Sequence, residues 1–487
     1  WTANDPVAGV YSKNYSSSYN YPKLEDGIFM REATNTSCTH GNYTRPYIAG
    51  GTKNYYKPTS GTPSNHTFEE IRFVGINLVN HNYVIVSGFK IIKARYGVRG
   101  YDLQTDTQKP NSHITITGNE FFNCQLGVGL GSLGGNATGN SISYNYFDYI
   151  QASIELWSLG GCDAGTTVGS NDSMDIAHNN ISHCSQIYTP SGPASYDWQA
   201  ANLISGGNED KEGIGTQDLT NSSIHHNTIT GTCRGIFLFT CRGKDTHSNS
   251  IYNNYISTTR VPLIMYPDTG TPGANSQYNN NIFYNVFVGG ANDGYYSAIV
   301  VKNTNVSSPV RNKIYNNTCH STINGITVIS GDYFAIMNNI FYGMSNYPVV
   351  QYASGSNIIY DYNLYSTPAN GFYTKATGAK NWLGWQALGK DVHSPIPANP
   401  LFTNAAGGVY TITSSSPARD AGLYVGITRD LSDGLVPVGS APDIGAYEYG
   451  NASGSSTTTP PTTTTVTDAT TTTTTPSTRT TNVTPPG

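Results

Sequence analysis

A short phrase returns along residues 112–367: an apolar residue, two variable residues, Asn, one variable residue and an apolar or aromatic residue. Its first copy is Ile116-x-x-Asn119-x-Phe121. The repeated asparagines are Asn119, Asn145, Asn179, Asn227, Asn254, Asn285, Asn317, Asn339 and Asn363, spaced 22 to 48 residues apart. A β-type phrase that returns at such intervals is typical of a chain wound into stacked coils.

The phrase also predicts what each position does. Alternating Ile, Val, Phe and Tyr form short strands with one buried face. We expect Asn to occupy a corner in the left-handed backbone region and to hydrogen-bond to its copies in the coils above and below. A single coil has no core of its own, so it depends on its neighbours. The alternative is a β-sandwich, which would show strand signals about every 8 to 12 residues and no fixed Asn phrase.

Two further segments carry a family resemblance. One is Asn82-Tyr-Val-Ile-Val-Ser-Gly-Phe-Lys-Ile91, and the other is the ending Pro442-Asp-Ile-Gly-Ala-Tyr-Glu-Tyr449. With the repeat, they make about residues 25–449 resemble the right-handed parallel β-helix, or pectate-lyase-like, superfamily of secreted proteins. The resemblance implies the fold and leaves the activity open, because one fold supports many functions and this superfamily includes lyases, hydrolases, epimerases, adhesins and structural proteins.

The expected architecture is all-β: a parallel β-helix of about ten coils with capping segments. Residues 1–75 are predicted to form an N-terminal cap or arm and the first strands, and residues 76–367 the coils, with a long insertion at 187–220. Residues 368–450 form a closing region. Residues 451–487, in which 18 of 37 residues are Thr, are predicted to be a disordered or polyproline-II-like, O-glycosylated tail.

Composition bears on location and partners. Only 12% of the residues are charged and the net charge is −5, which does not suit nucleic-acid binding. No apolar run reaches transmembrane length. We expect Trp1 to be a mature N-terminus left after export to the cell exterior or surface. The predicted sites of covalent N-linked glycans are Asn14, Asn35, Asn42, Asn65, Asn136, Asn171, Asn221, Asn305, Asn451 and Asn482. The sequons at Asn180 and Asn316 lie beside the ladder and are expected to be unmodified.

Seven cysteines cannot all pair within one chain. Cys233 and Cys241 flank one strand-like run and are the predicted disulfide. We predict that three other cysteines fill the core: Cys124, Cys184 and Cys319.

No metal cofactor is predicted. No Cys-x-x-Cys spacing suggests zinc. His225 and His226 are expected to face opposite sides of the coil, which would exclude a two-histidine metal site. Asp420, Asp430 and Asp443 could hold Ca²⁺, although turn-forming aspartates are the simpler interpretation.

Catalytic candidates come mainly from the insertion. Polysaccharide hydrolysis needs paired carboxylates, and lyase chemistry needs a base with cationic groups or Ca²⁺. The motif set of polygalacturonases is absent, and no aspartate cluster at coil spacing resembles the calcium site of pectate lyases. The remaining constellation comprises Glu209, Asp210, Lys211, Glu212, Arg234, Arg242 and Lys244. The alternative interpretation is a solvated charged loop with a salt-bridged neighbour.

Three functions follow as hypotheses. The first is an extracellular structural glycoprotein that self-associates into a homopolymeric filament or surface layer, since head-to-tail contacts produce open arrays. The second is a secreted polysaccharide lyase or glycoside hydrolase acting on acidic polysaccharide. The third is a carbohydrate-binding adhesin that uses some of the 36 tyrosines.

Overall fold

The computed structural model describes most of the chain from residue 72 to residue 451. The described ranges there are 72–101, 109–132, 135–157, 169–189, 192–195, 212–240, 244–267, 276–290, 297–302, 310–321, 323–353, 357–366 and 370–451. Side chains are described from residue 74 onward, except for residues 186–195. Before residue 72, only the backbone of the short strands given below is described.

Two ten-stranded parallel sheets, sheet I and sheet II, carry the two halves of the repeated phrase. Sheet I contains Ile85–Ser87, Thr115–Thr117, Ser141–Ser143, Asp175–Ala177, Ser223–His225, Ser250–Tyr252, Asn281–Phe283, Asn312–Tyr315, Phe334–Met337 and Ile358–Asp361. Sheet II contains Lys90–Ile92, Glu120–Phe122, Tyr146–Asp148, Asn180–Cys184, Thr228–Gly231, Tyr255–Thr258, Val286–Gly289, Thr318–Ser321, Ile340–Tyr342 and Leu364–Tyr365. Each strand pairs with its copy in the next coil, so both sheets run along the coil axis.

The longest sheet, sheet III, completes each coil. Its strands are Arg72–Asn77, Ala94–Arg99, Leu126–Gly131, Ala152–Trp157, Glu212–Gln217, Arg234–Thr240, Leu263–Pro267, Ser297–Lys302, Asn324–Ser330, Val349–Gln351, Phe372–Thr374 and, antiparallel at the end, Gly378–Lys380. Sheet IV has the short strands Ala137–Thr138, Asn171–Asp172, Leu219–Thr220, Asp245–His247 and Ser276–Tyr278. In each coil the chain runs from sheet I through sheets II and III back to sheet I.

Smaller elements lie outside the four sheets. Before the coils, Thr2–Asp5, Val10–Asn14, Arg31–Glu32, Pro46–Gly50 and Lys53–Tyr56 form one sheet, and Lys23–Glu25, Ile28–Phe29 and Phe68–Glu70 another. Gln186–Thr189 and Gly192–Ser195 form a hairpin in the insertion. After the coils come the helix Trp382–Gln386, the strands Phe402–Asn404 and Val409–Ile412, and a 3-10 turn at Ala405–Gly407. Within the described part of the chain, no helix has the length and apolarity to cross a membrane.

The asparagine ladder is confirmed. From Asn119 to Asn363, the backbone N–H and the side-chain Nδ2 of each asparagine both donate to the Oδ1 of the next. The side-chain bonds measure 2.9–3.1 Å. All nine side chains are buried. The ladder therefore satisfies a column of polar groups inside the coil, which would otherwise be costly to bury.

One detail of that prediction was wrong. The residue in the left-handed region is the one before each ladder asparagine. These residues are Gly118, Tyr144, His178, His226, Asn253, Tyr284, Asn316, Asn338 and Tyr362, with φ between 51° and 63°. The ladder asparagines lie beyond the corner, where their backbone N–H can point along the axis. The corner tolerates Tyr and His because the side chain there points away from the core.

The ladder ends on a carboxylate from the closing region. Asp391 is fully buried, and its oxygens accept hydrogen bonds from Asn363, Tyr365, Trp385 and Ser394. Burial raises the pKa of Asp391, and the four donors oppose that shift. These hydrogen bonds join the closing region to the last ladder asparagine and so cover the end of the last coil.

The core confirms the fold prediction. The two apolar positions of the phrase are buried in every coil, from Ile116 and Phe121 to Tyr360 and Tyr365. They form one continuous cluster with the inward side of sheet III. The chain is a right-handed parallel β-helix. The predicted O-glycosylated tail, apart from Asn451, lies outside the described residues.

Candidate functional site

The outward side of sheet III differs from the rest of the coil surface. Its strands bend so that a small residue near the start faces the core: a Cβ on Gly127 would lie 2.7 Å from the ring of Phe147. The residue before it faces outward, and the side chains beyond it alternate. Those facing outward include Tyr96, Leu126 and Ala152, which form an apolar cluster separate from the core, with Tyr101 and Trp157 beside them. This outer face of sheet III is aromatic and carries charged groups.

A row of paired residues crosses this face. Arg99 pairs with Gly129, Gly129 with Glu155, and Glu155 with Gly215. The two glycines make room for neighbouring side chains. A Cβ on Gly129 would lie 2.8 Å from the Tyr101 ring, and one on Gly215 would lie 2.8 Å from a Glu155 carboxylate oxygen. Glu155 therefore leans toward the strand Glu212–Gln217, and its side chain is only 5% exposed.

That same strand begins with a second buried acid. Glu212 is 2% exposed, and its carboxylate lies 3.4 Å from the guanidinium of Arg234 on the next strand. The Arg234 guanidinium also lies 5.3 Å from the centre of the Phe237 ring. We call Glu155 and Glu212 the acidic pair. Two buried carboxylates on adjacent strands, with an arginine fixed beside one of them, are groups that acid–base chemistry uses.

The structure brings together only part of the predicted catalytic set. Glu212 and Arg234 form a buried ion pair rather than part of a solvated loop. Lys244 lies beyond the other end of the strand Arg234–Thr240, which is itself about 20 Å long at the usual rise per residue. Glu209, Asp210, Lys211 and Arg242 lie outside the described residues. Of the predicted insertion 187–220, the part from Glu212 onward belongs to sheets III and IV.

Sequence reasoning missed Glu155 and Arg99. The signal for Glu155 was present, since it is the acidic residue of a mostly apolar strand, Ala152–Trp157. Its glycine neighbours are 26 residues before it and 60 residues after it. The second interval contains the insertion, which hides the coil spacing.

The predicted disulfide gave Cys233 the wrong partner. Cys233 is bonded to Cys184, with 5.5 Å between their Cα atoms, while Cys241 lies outside the described residues. Adjacent coils place residues 49 positions apart side by side, so closeness along the chain was a poor guide. Cys124 and Cys319 are buried free thiols, as expected for core fillers, and burial raises the pKa of Cys124 to about 12.

The sequons differ in accessibility. Asn136 and Asn221 are exposed at the two ends of sheet IV strands. Asn171 is fully buried and donates to the Gln217 carbonyl, so its prediction as a glycan site was wrong for the folded chain. The Asn451 amide donates to Asp430 and to the Leu435 carbonyl. Asn316, expected to be unmodified, is buried. Only the backbone of Asn14 is described, and Asn35, Asn42, Asn65, Asn305 and Asn482 lie outside the described residues.

The three aspartates considered for Ca²⁺ hold turns of the closing region. Asp430 Oδ1 accepts backbone hydrogen bonds from Ser432 and Gly434. Asp443 accepts from the backbone of Asp420 and Tyr449, and Asp420 accepts from residues 440 and 441. These oxygens are already used by N–H donors, which is the arrangement of turn-forming aspartates.

A histidine cluster lies at the corner between sheets I and II. Ligand atoms of His178, His225 and His226 all lie within 4.8 Å of one another. His225 and His226 do not face opposite sides of the coil, because both rings lie outside it with their Nδ1 atoms 2.8 Å apart.

Burial, with His226 and His225 nearby, lowers the pKa of His178. The hydrogen bond from His225 lowers the pKa of Asp175. The expectation about their orientation was wrong, because His226 occupies the left-handed corner.

Comparison with known proteins gives structural neighbours. No protein-family model and no curated protein sequence matches the chain. One similar solved structure is XylC in complex with xylose, at 12% identity and a TM-score of 0.43, covering 74% of this chain. This chain spans 66% of that protein, just under two thirds of its length. Another is the pectate lyase Pel9A, at 12% identity and a TM-score of 0.27, covering 77% of this chain and 87% of that one.

Proposed function

We propose that this protein is a secreted glycan-cleaving enzyme whose acidic pair, Glu155 and Glu212, hydrolyses a glycosidic bond on the outer face of sheet III. The observation that supports this most directly is the position of both carboxylates. They lie on adjacent strands of one face, each no more than 5% exposed, with Glu155 leaning over the strand that carries Glu212. Glycoside hydrolysis commonly uses two such carboxylates.

The environments of the two acids suggest different roles. Glu212 is assigned as the general base, because the guanidinium of Arg234 lies 3.4 Å from its carboxylate and a nearby cation favours the charged form of an acid. Glu155 is assigned as the general acid, because its carboxylate lies over Gly215, on the strand that carries Glu212. Opposite protonation states for two nearby carboxyl groups are what hydrolysis requires.

The surroundings fit a sugar chain. The partly exposed Trp157 lies on the same face, beside the buried Tyr96 and Tyr101, and an aromatic ring stacks on the apolar face of a sugar. Arg99 lies in the Glu155 row, two strands away. A guanidinium at that position suits a uronate carboxylate, so the proposed substrate is an acidic polysaccharide.

The spacing of the acids predicts the stereochemistry. Gly215, which lies under the Glu155 carboxylate, is three residues from Glu212, or about 10 Å along the strand. This backbone spacing is nearer to the carboxyl separation of roughly 6.5–9.5 Å of inverting enzymes than to the roughly 5–5.5 Å of retaining ones. We therefore expect inversion at the anomeric carbon.

The experiment is to incubate the full-length protein with a polyuronate and with a neutral glucan, and to measure new reducing ends and the anomer released. Glu155→Gln and Glu212→Gln should each lower the rate at least about 100-fold. Glu120→Gln is the matched control, because Glu120 is an exposed acid paired with Lys90 on sheet II. Equal rates in Glu155→Gln and the parent would refute the assignment.

A second candidate function, a structural subunit of a glycosylated extracellular filament or layer, is favoured by a different observation. Asn136 and Asn221 expose their side chains at sheet IV, so glycans on both would coat one side of a rigid, internally bonded solenoid. Electron microscopy of the native material tests it: subunits repeating along a filament support this role, and single particles oppose it.

A further inference from the structure

We propose that His178, His225 and His226 form a binding site for a divalent transition metal, with Zn²⁺ as the expected ion. The three imidazoles come from two successive coils. His225 ends a sheet I strand, and His226 and His178 occupy the left-handed corner, with φ of 54° and 55°. The His178 and His226 rings stack with centroids 4.8 Å apart and planes inclined by 24°, so the His178 ring would rotate to share an ion with His226. The stacking of coils thus brings together residues 48 positions apart.

The hydrogen bonds on the far side of two rings argue for a cation. The Nε2 of His225 lies 3.1 Å from an oxygen of Asp175, and the Nε2 of His226 lies 3.2 Å from an oxygen of Asp433. A carboxylate accepts, so each Nε2 is the protonated nitrogen of its ring. The two Nδ1 atoms of neutral rings would then carry lone pairs that face each other at 2.8 Å. Such an arrangement is unfavourable unless a cation lies between them.

A metal ion fits that position better than a shared proton, because a third imidazole is present. Histidine ligands to zinc commonly donate their other ring N–H to a carboxylate, which fixes the ring and strengthens the ligand. Asp175 would accept that N–H from His225, and Asp433 would accept it from His226. With Zn–N bonds of about 2.0–2.1 Å, three imidazoles leave a fourth tetrahedral position for water. Imidazole also suits Cu²⁺ and Ni²⁺.

The site would connect two parts of the chain. His178 and His225 belong to the coils, whereas Asp433 belongs to the closing region, where Arg429 donates to its backbone carbonyl. Asn253, at the next corner, also bonds to the Asp433 carboxylate and to the Asp430 carbonyl. A metal held by the coil and oriented by Asp433 would therefore fasten the closing region to the coils.

The test measures Zn²⁺ binding to the full-length, EDTA-treated protein by calorimetry, and Co²⁺ binding by its visible absorption. The parent should bind one ion, and the absorption bands of Co²⁺ should be those of a tetrahedral site. His226→Asn and His178→Asn should abolish binding without unfolding, since Asn occupies the same corner in later coils, at Asn253, Asn316 and Asn338. Asp433→Asn should weaken binding about 10- to 100-fold.

The matched control is His113→Asn. His113 has the same left-handed backbone, with φ of 54°, but stacks on Tyr83 away from the cluster. This variant should bind as the parent does, and Zn²⁺ should raise the melting temperature of both, but not that of His178→Asn. Absence of saturable binding in the parent, or unchanged binding in His226→Asn, would overturn the proposal and leave a shared proton as the explanation for the short contact.

Discussion

The asparagine ladder between sheets I and II and the outer face of sheet III belong to the same coils, but their residue types differ in how regularly they repeat. Immediately after the corner, one residue type repeats from Asn119 to Asn363 and makes the same hydrogen bonds in successive coils. On the outer face, the row through Glu155 changes at every coil, from Arg99 to Gly129, Glu155, Gly215 and Phe237. Repetition there would stack like charges 4.8 Å apart. The repeated asparagines therefore stabilise the stack of coils. The positions that do not repeat can hold the different side chains that a binding or catalytic site needs.

The largest effect should come from interrupting the uniform column. Asn254→Ala removes the acceptor for both donors of Asn227 and the donor to Asn285. It also leaves the Ile224 carbonyl without its side-chain donor. Each buried polar group left unsatisfied costs about 1–3 kcal/mol, so we expect a loss of about 5 kcal/mol in the free energy of unfolding. Denaturant titration followed by circular dichroism measures it.

Asn370→Ala is the control for that substitution. Asn370 also donates its amide to another asparagine, Asn346, but on the exposed surface. We expect a change within about 0.5 kcal/mol. If both variants lost the same stability, the ladder would be no more important than a surface contact.

An intermediate effect is expected on the outer face of sheet III. Arg234→Met should destabilise the protein by about 3–5 kcal/mol, because it removes the cation that lies 3.4 Å from the buried Glu212 carboxylate. Adding Glu212→Gln should recover much of that loss, since no buried charge then remains. Stability measured for both single variants and the double variant gives the coupling free energy. Additive losses would show that the pair is not coupled.

The features that repeat in every coil could be predicted from the sequence, whereas those that occur once could not. The phrase around Asn119 and Phe121 predicted the strands, the core and the ladder, because each coil repeats the same physical requirement. The disulfide partner and Glu155 could not be found in this way. Cys184 meets Cys233, and Glu155 meets Gly215, only because loops of unequal length return the chain to the same sheet position. The histidine cluster depended on the corner lying one residue before the ladder asparagine, which the phrase alone did not show.

The smallest effect should appear in the closing region and depend on pH. Burial, together with the nearby Asp443 and Asp430, raises the pKa of Glu448 to about 7. An unfolded glutamate titrates near about 4.3, so between these values the folded chain binds the extra proton and stability falls as pH rises. The melting temperature should therefore decline from about pH 4.5 to about pH 7, with no further contribution from this group above pH 7. Glu448→Gln should flatten that decline, although it weakens the backbone hydrogen bonds from Asp443 and Val438 at every pH. Parallel pH profiles for the two proteins would assign the titration to another carboxyl group.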